Sequence, residues 1–390
     1  MASAAMRRFR TSVAPMVDVT DPCFLRLLRL ISPFGNHQLW TEMMHANAFS
    51  RGRIHMDPPK LAMHLPLREL QDFAPGIVAQ IGAADPDDAH AAVRVLTNLG
   101  VRHVNLNCGC PSRNVQMGSF GAILMKSPEL ASDIVNAMQD AARDTNCHIS
   151  VKCRIGVDED ESSEFLRRFV SAVTSRHTQG SGNPVSLVLH SRRAWLKGLS
   201  PKQNRNIPVL NHARVYEMVR EFPNTEFLIN GGIDTTDAVL GHLARVDGVM
   251  IGRKVREDPW FLSQLDQRVY GVSTNNIPSA TDVLTEYVKF ADYMHCHYGT
   301  KYSILGRPLY AFFRGRKGKA MRTRLGLSIT KAKNRSNSDV DSTYSAPFGD
   351  LVQDALHCAE QEFQSQTNVV TPNELSSPAW PGYQQGAEAC

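Results

Sequence analysis

The sequence predicts an α/β fold: a closed (β/α)8 TIM barrel followed by a small C-terminal helical domain. Eight short apolar runs precede residue 260, and helical patterns separate them. The runs are nearly continuous rather than alternating, as expected for parallel strands that are covered on both faces. The first run ends in Ala14-Pro15-Met16, without the glycine-rich turn that usually follows the first strand of a doubly wound sheet. Eight strands that alternate with helices therefore favour a closed barrel over an open sheet.

The predicted strands follow one another with room for a helix between them. In chain order they are Ser12–Met16, Leu39–Met44, Gly76–Gly82, His103–Asn107, His148–Ile155, Ser186–Ser191, Glu226–Ile233 and Gly248–Gly252. Asp85-Pro86 begins a helix as its N-cap and first residue, and Gly100 follows the end of that helix. Asp21-Pro22 and Ser127-Pro128 begin two further helices in the same way.

Changes in composition divide the chain into segments. We expect a short N-terminal extension at residues 1–11, the barrel at 12–270, a helical domain at 281–365 and a disordered tail at 371–390, which is rich in Pro, Ser and Gln. Within the helical domain, the predicted helices are 281–298, one or two basic helices in 304–333, and 351–363. Residues 334–345 are polar and rich in Ser and Asp, which predicts an inserted loop.

The composition argues against a membrane-spanning or disulfide-rich secreted protein. No run of about 18 apolar residues exists, so no transmembrane helix is expected. The N-terminus has no apolar signal region, although its basic start leaves a short organellar presequence open. The eight cysteines form no Cys-x-x-Cys pair or disulfide framework, which predicts a reducing, cytoplasmic location. Zinc-site spacing is also missing, and no metal is expected.

The positive charge is concentrated in one segment. Between Lys301 and Arg335 the sequence has eleven Lys and Arg and no Asp or Glu, so the rest of the chain carries a net negative charge. Aromatic residues at 302, 310, 312 and 313 lie among these cations. An acid-free basic segment with interleaved aromatic residues favours a nucleic-acid partner over a solvated helix surface.

The ends of the last two strands predict a phosphate site. Gly231-Gly232 follows Asn230 at the end of the seventh predicted strand, and Gly252-Arg253 ends the eighth. In barrels, the loops after these two strands often bind phosphate through backbone N–H groups, and an arginine adds charge-assisted donors. The pattern therefore indicates a phosphorylated cofactor.

Three other strand ends would face the ring of such a cofactor. These are Gln80, Lys152 and His190. An amide can hydrogen-bond to the pyrimidine edge of a flavin, and an ammonium near N1 and O2 stabilises the anionic reduced flavin. Each side chain alone favours a structural role, but their position at one end of the barrel together with the glycines and Arg253 favours a cofactor role.

Cys110 is the predicted reactive group. It stands just before Pro111, after a strand that contains Asn107, and a loop with Gly118 and Gly121 follows. A thiol at the end of a barrel strand can act as a general acid, or as a nucleophile if a neighbour activates it. Cys108, two residues earlier, is predicted to serve only in core packing.

The loop after the sixth predicted strand is strongly basic. Between His190 and Arg205 it contains five Lys and Arg, on the same barrel face as the predicted cofactor site. A small metabolite would not need so many cations, whereas a phosphodiester backbone would.

Several motifs resemble those of the tRNA-dihydrouridine synthases in order and spacing. They are Ala14-Pro15-Met16, Thr41-Glu42-Met43, Asn105-Leu106-Asn107-x-Gly109-Cys110-Pro111, Lys152-x-Arg154, Asn230-Gly231-Gly232 and Gly252-Arg253. Residues 109–125 and 190–205 are similar to the A subgroup, the tRNA-dihydrouridine(20/20a) synthases. The resemblance covers residues 12–265 closely and residues 281–325 loosely.

The resemblance implies an FMN-containing barrel whose helical domain helps to hold tRNA. NADPH would reduce the FMN, the flavin would pass a hydride from N5 to C6 of a uridine flipped out of the D-loop, and Cys110 would protonate C5. The implied FMN-binding residues are Ala14, Pro15, Met16, Gln80, Lys152, His190, Asn230, Gly231, Gly232, Gly252 and Arg253. The expected tRNA contacts are Asn107, Lys202 and Arg205 from the resemblance, and Arg307, Arg314 and Arg316 from the basic segment. A monomer is expected.

Two other functions remain open from the sequence. A barrel flavoenzyme that reduces a small molecule would share the phosphate glycines and Lys152, but it would not need the basic segment. A tRNA-binding module without catalysis would need the basic segment, but neither Cys110 nor Arg253.

Overall fold

The computed structural model describes residues 9–51, 61–66, 70–71, 76–178, 184–313, 315–338 and 347–367. Nine strands lie in these ranges. They are β1 (Thr11–Val13), β2 (His37–Trp40), β3 (Met44–His45), β4 (Ile77–Gly82), β5 (His103–Cys108), β6 (His148–Arg154), β7 (Ser186–His190), β8 (Phe227–Asn230) and β9 (Gly248–Ile251). All pair in parallel, in the order β2-β1-β9-β8-β7-β6-β5-β4-β3, and a pairing of β2 with β4 closes the barrel. The predicted (β/α)8 barrel is confirmed.

One predicted strand is divided. The run from Leu39 to Met44 forms β2 and the two-residue β3, separated by Thr41-Glu42-Met43. The hydroxyl of Thr41 accepts a hydrogen bond from the backbone N–H of Gln80 at 3.2 Å, in place of a main-chain carbonyl of the ladder. The division arises because the side chain of Thr41, directly after β2, accepts the hydrogen bond from the backbone N–H of the neighbouring strand β4.

The helices of the described residues lie between the strands and after them. They are α1 (Pro22–Ile31), α2 (Ala46–Ser50), α3 (Pro86–Asn98), α4 (Arg113–Met117), α5 (Pro128–Ala142), α6 (Ser163–Thr178), α7 (His212–Glu221), α8 (Thr236–Leu243), α9 (Arg253–Glu257), α10 (Phe261–Tyr270), α11 (Ala280–Tyr298), α12 (Tyr302–Phe312), α13 (Gly315–Ser338) and α14 (Phe348–Thr367). Asp85 caps α3 by accepting from the N–H groups of Asp87 and Asp88 at 2.8 and 3.1 Å. The predicted helix start at Asp85-Pro86 is therefore confirmed.

The C-terminal helices are longer than the sequence predicts. The basic region forms two helices, α12 and α13, and α13 continues to Ser338. Residues 334–338, which the sequence predicts as part of the inserted loop, are therefore helical. Residues 339–346 and the predicted tail at 371–390 lie outside the described residues. Among the helices that the structure describes, none is long and apolar enough to cross a membrane.

Three apolar clusters lie among the described residues, and the smallest joins Trp40, Val78 and Met250 of the barrel strands. The largest fills the space between the barrel strands and the surrounding helices. The second joins α1 to the C-terminal helices: Leu27 and Ile31 of α1 are buried with Tyr287 and Ala291 of α11 and Leu309 of α12. One helix of the barrel therefore takes part in the core of the helical region.

Candidate active site

The carboxyl ends of the barrel strands surround a cavity of about 760 Å³. This volume lies within the range of about 300–1,000 Å³ that is usual for cofactor and ligand sites. The predicted site residues that line it are Ala14, Pro15, Met16, Gln80, Asn107, Cys110, Lys152, His190, Arg205, Asn230, Gly231, Gly232, Gly252 and Arg253. The fold thus brings together residues from seven strands that are far apart in the sequence.

The Cys110 loop is held by backbone hydrogen bonds on both sides of the thiol. Oδ1 of Asn107 accepts from the N–H groups of Gly109 and Cys110, each at 3.0 Å. The N–H of Ala122 donates to the carbonyl oxygen of Cys110 at 3.0 Å. Gly121 has φ +77°, and a Cβ at this position would lie 2.6 Å from that same carbonyl oxygen. The backbone of the half-buried Cys110 is therefore fixed just after the end of β5, and only glycine fits where the loop closes on it.

Asn107 also belongs to a row of buried polar side chains. Its Nδ2 donates to Oε1 of Gln80 at 3.0 Å, and Nε2 of Gln80 donates to Oδ1 of Asn105 at 2.9 Å. Nδ2 of Asn105 in turn donates to Oγ of Ser150 at 2.9 Å. All four residues are buried, so a lost partner would leave a polar group without water or protein to replace it. The sequence analysis gave Ser150 no role, and the available signal was that Asn105 and Asn107 share one face of β5.

Lys152 lies near the end of β6 with an amide as its partner. Nζ donates to Oδ1 of Asn230 at 3.1 Å, and Nδ2 of Asn230 donates to the carbonyl oxygen of Met250 at 2.8 Å. Burial, and then the charge of Arg154, lowers the pKa of Lys152 to about 8. Because its partner is neutral, the ammonium keeps its full charge for an anionic group in the cavity.

His190 contributes a nitrogen without a protein partner. Its Nδ1 is buried and makes no hydrogen bond within the described part of the chain. Burial, followed by the charges of Arg154 and Lys152, holds the pKa of His190 well below its ordinary value of 6.5, so the ring is neutral at pH 7. A buried polar atom of this kind indicates a site that a bound molecule completes.

Arg154 connects two loops at the cavity wall. It is 5% exposed, and its guanidinium donates to the carbonyl oxygens of Gly109 at 3.1 Å, Arg193 at 3.3 Å and Asn204 at 3.1 Å. Burial lowers the pKa of Arg154 to about 10, which leaves it charged at neutral pH. One cation therefore ties the Cys110 loop to the loop after β7. Sequence reasoning named Arg154 within a motif but gave it no role.

The cavity is cationic around the thiol. Lys152, Arg154 and Arg205 line the same cavity as Cys110, and burial lowers the pKa of all three. A negatively charged group in this cavity would therefore face three cationic side chains.

The opposite side of the cavity is built from backbone and one guanidinium. Gly231 and Gly232 have φ +113° and +73°, and a Cβ on Gly232 would lie 2.4 Å from Cδ1 of Leu210. Glycine is required there, and it lets the main chain reach the cavity. Nη1 of the exposed Arg253 donates to Oδ1 of Asn206 at 2.6 Å. Backbone N–H groups beside an arginine suit a phosphate group.

The basic loop after β7 packs against acidic residues. Arg193 stacks 4.6 Å from the ring centre of Trp195 and lies 3.3 Å from Glu161. Its charge is therefore already partnered. Lys197 and Lys202 are exposed, and neither makes a side-chain hydrogen bond or ion pair with the described residues. These two lysines have the freedom that contact with a flexible polyanion requires.

The remaining predicted nucleic-acid contacts lie outside the cavity. Lys202 stands on the exposed loop. Arg307 of α12 donates to the carbonyl oxygen of Asp18 at 2.8 Å and lies 3.7 Å from Oδ2 of Asp21, so it joins the helical region to the loop after β1. Arg314 lies outside the described residues, and the side chain of Arg316 is not described. Within the described ranges, no group of His, Cys, Asp and Glu is arranged to hold a metal ion.

The family model and the curated relatives that match this chain agree on one family. The family model for dihydrouridine synthase (Dus) matches residues 12–342. A tRNA-dihydrouridine(20/20a) synthase of Shewanella oneidensis is 36% identical over 329 residues, which are 84% of this chain and 91% of that protein. The Escherichia coli K12 protein of the same name is 38% identical over 264 residues, 68% of this chain and 70% of that protein. Among solved structures, morphinone reductase has a TM-score of 0.43 and 10% identity, with 70% of this chain and 88% of that chain covered.

The family match extends over most of the chain and includes every barrel strand from Ser12 onward. It also includes the strand ends that carry the cavity residues, so the resemblance seen in the sequence motifs is confirmed. This chain belongs to the dihydrouridine synthase family.

Proposed function

We propose that this protein reduces the C5–C6 double bond of a D-loop uridine in tRNA to 5,6-dihydrouridine, at position 20 or 20a, with FMN as cofactor and NADPH as reductant. The observation that carries the proposal is the fixed thiol of Cys110 at the edge of a cationic cavity, in a chain of the dihydrouridine synthase family. The names of the relatives supply the position in tRNA.

The cavity fits a flavin mononucleotide on three observations. Among the residues that the structure describes, Nδ1 of His190 is buried without a hydrogen-bond partner and the Lys152 ammonium donates to an amide oxygen, while Gly232 has space for no more than hydrogen as its side chain. The backbone at Gly231, Gly232 and Gly252, together with Arg253, would hold the phosphate. Gln80, Lys152, His190 and Asn230 would contact the ring system, and Ala14, Pro15 and Met16 would pack against it. When bound and reduced, the flavin supplies the hydride that adds to C6 of the uracil.

Cys110 would act as the general acid at C5. Its thiol gives a proton to that carbon, and the sulfur is left as a thiolate. Lys152, Arg154 and Arg205 line the same cavity as this sulfur, and their charges would favour the negative charge that forms there. Their role would be to stabilise the thiolate without moving, because Arg154 is already held by carbonyl oxygens on two loops.

A uridine can reach Cys110 only if it leaves its base stack. The thiol lies in the wall of the cavity, so the target nucleotide must turn outward from the D-loop to enter. Lys197, Lys202 and Arg205 would contact phosphates beside the entrance, and the basic helices α12 and α13 would extend this surface. The oxygen of Asn107 would serve the Cys110 loop, because both lone-pair positions of Oδ1 are taken by backbone N–H groups, and a contact of Asn107 with the tRNA would use its amide N–H.

The test is nucleoside mass analysis after incubation of the protein with NADPH and unmodified tRNA. The expected result is a gain of two hydrogens on one uridine, and nuclease mapping assigns it to the D-loop. A protein that binds and reduces flavin but leaves tRNA unchanged would instead be a flavoenzyme acting on small molecules. A protein that binds tRNA, holds no flavin and forms no product would be a binding module.

A further inference from the structure

A one-directional chain of buried hydrogen bonds connects the Cys110 loop with the opposite end of the barrel. It runs from the backbone N–H groups of Gly109 and Cys110 to Asn107, then to Gln80, Asn105 and Ser150, at distances between 2.9 and 3.0 Å. The four side chains are 9%, 1%, 0% and 6% exposed, respectively. We call these four residues the amide relay.

The direction of the relay is fixed at its Cys110 end. A backbone N–H can only donate, so the two N–H groups must meet the oxygen of the Asn107 amide. Nδ2 of Asn107 must then donate to the oxygen of Gln80, and the nitrogen of Gln80 must donate to the oxygen of Asn105. The last donor, Nδ2 of Asn105, needs an acceptor, and the hydroxyl of Ser150 provides one.

The relay joins two cavities. Strand register places Gln80 opposite Asn105, Asn105 opposite Ser150, and Ser150 opposite Ser186. Because barrel strands are tilted, such a row climbs from one end of the barrel to the other. Gln80 and Asn107 line the cavity of Cys110, whereas Ser150 and Ser186 line a smaller cavity of about 260 Å³ at the amino ends of the strands.

We propose that Asn105 and Ser150, which do not line the active-site cavity, are positioning residues for the proton transfer from Cys110. Ser150 gives the last amide of the relay an acceptor, and this bond stabilises the orientation that the backbone N–H groups impose on Asn107, Gln80 and Asn105. Within the described residues, the relay also leaves one N–H of Gln80 and one N–H of Asn107 unused, and each would suit an acceptor atom of a bound molecule. This inference rests on the proposed role of Cys110 as the proton donor.

Ser150→Ala removes the final acceptor and leaves Nδ2 of Asn105 buried without a partner. This unpaired buried donor destabilises the relay, so the relay opens locally more often and the Asn107 oxygen leaves the two backbone N–H groups for part of the time. The Cys110 loop should open locally while the barrel stays folded. Two effects of opposite sign follow: the thiol becomes easier to alkylate, and proton transfer becomes slower.

Ser186→Ala is the matched control. Ser186 is 7% exposed, lies opposite Ser150 in register, lines the same lower cavity and bonds to Nε2 of His148 at 2.9 Å. It has no part in the relay. Ser150→Thr is the rescue variant: it keeps the hydroxyl, and the lower cavity has room for its methyl group.

Two measurements on the FMN-loaded protein decide the proposal. The first is the rate of iodoacetamide modification of Cys110, read by peptide mass, with the buried Cys108 and Cys153 as internal controls. The second is the rate at which unmodified tRNA reoxidises the pre-reduced enzyme in a single turnover. For Ser150→Ala we expect alkylation about threefold to tenfold faster and reoxidation about tenfold slower, equal to about 1.4 kcal/mol.

The expected pattern is that Ser186→Ala and Ser150→Thr stay within about twofold of the unchanged protein in both rates. If Ser150→Ala and Ser186→Ala behave alike, or if Cys108 and Cys153 become reactive together with Cys110, the effect is general loosening and the relay has no positioning role. If the unchanged protein forms no dihydrouridine, the proposed function fails. The alkylation contrast then still decides whether Ser150 positions the thiol.

Discussion

The side chains of Lys152 and Asn230 are hydrogen-bonded to each other, although a third strand lies between the two strands that carry them. Nζ of Lys152, on β6, donates to Oδ1 of Asn230 at 3.1 Å, on β8, although β7 lies between those strands in the sheet. The two side chains meet inside the barrel, at the floor of the active-site cavity. The bond holds a cation whose pKa burial lowers to about 8, and it therefore links cofactor binding to pH.

Lys152→Met removes the charge and keeps most of the side-chain length. We expect the affinity for FMN to fall about ten- to hundredfold, because one charge-assisted hydrogen bond is lost. Fluorescence titration of the flavin-free protein measures this directly. Lys254→Met, which changes a lysine also at the cavity edge but paired with Asp258 at 3.1 Å, is the control and should change the affinity much less.

As the pH rises, the affinity for FMN and the contribution of Lys152 to the free energy of unfolding should change in opposite directions. FMN affinity should fall as the pH rises through about 8, because the ammonium loses its proton there. Without a ligand, the folded pKa lies below the ordinary 10.5, so the unfolded chain binds this proton more tightly. The contribution of Lys152 to the free energy of unfolding therefore increases from pH 8 to 10.5. Titrations and urea unfolding of Lys152→Met should show neither dependence.

Cys110→Ala should separate binding from chemistry. The variant should keep its yellow flavin and its tRNA affinity but lose product formation by a factor of about 10² or more, as expected for removal of a general acid. Dihydrouridine analysis and a tRNA binding assay check the two halves. Cys108→Ala is the control, since Cys108 is fully buried in the barrel core and should affect stability only. Normal turnover by Cys110→Ala would refute the acid role.

Asp21 and Arg307 should make the contact between barrel and helical region pH-dependent. Burial raises the pKa of Asp21 to about 6, and Arg307 opposes this shift. A raised carboxyl pKa means that the folded state binds the proton more tightly, so this group lowers stability as the pH rises from 3.8 to 6.

Asp21→Asn should therefore raise the free energy of unfolding at pH 7.5 by about 1–3 kcal/mol, and have little effect at pH 4. The side-chain oxygen that caps α1 through the N–H of Phe24 is kept in this variant. Arg307→Met should have the opposite effect at pH 7.5. Thermal or urea unfolding at the two pH values measures both. An equal change in the free energy of unfolding at both pH values would mean that burial does not raise the pKa of Asp21.

The salt dependence of tRNA binding should distinguish the loop cations that contact phosphates from Arg193, which pairs with an acidic residue of this chain. Lys202→Gln and Arg205→Gln should each lower the slope of log K against log salt by about 0.7–0.9. Arg193→Gln is the control: Arg193 is already paired with Glu161 and stacked on Trp195, so its slope should stay unchanged. If all three variants behave alike, the tRNA does not lie over this loop.

The sequence predicted the barrel and most of the cavity wall because both depend on local signals. Strand ends carry the reactive groups in a barrel, so Lys152, His190 and Gly231 could be assigned to one surface before their distances were known. Thr41 shows where such reasoning ends. Its hydroxyl replaces a backbone acceptor for Gln80, and no local pattern marks a side chain that divides its own strand.

The parts that sequence reasoning missed are made of long-range contacts. Arg154 bonds to carbonyl oxygens 45 and 50 residues away, and Asn105 bonds to a serine 45 residues away. Their residue types are common in strands and give no signal of their partners. Arg307 stays a predicted tRNA contact on the basis of charge, and no local pattern indicated its contacts with Asp18 and Asp21, which depend on the packing of α12 against the barrel.

Because α1 packs both against the barrel and against the C-terminal helices, the structure predicts the outcome of proteolysis. Leu27 and Ile31 are enclosed by the C-terminal helices, although α1 follows the first strand of the barrel. A protease that cuts between Gly271 and Ser279 would break the chain but not this contact. The two fragments should therefore stay together on a sizing column in native buffer. They should separate only under conditions that also unfold the barrel.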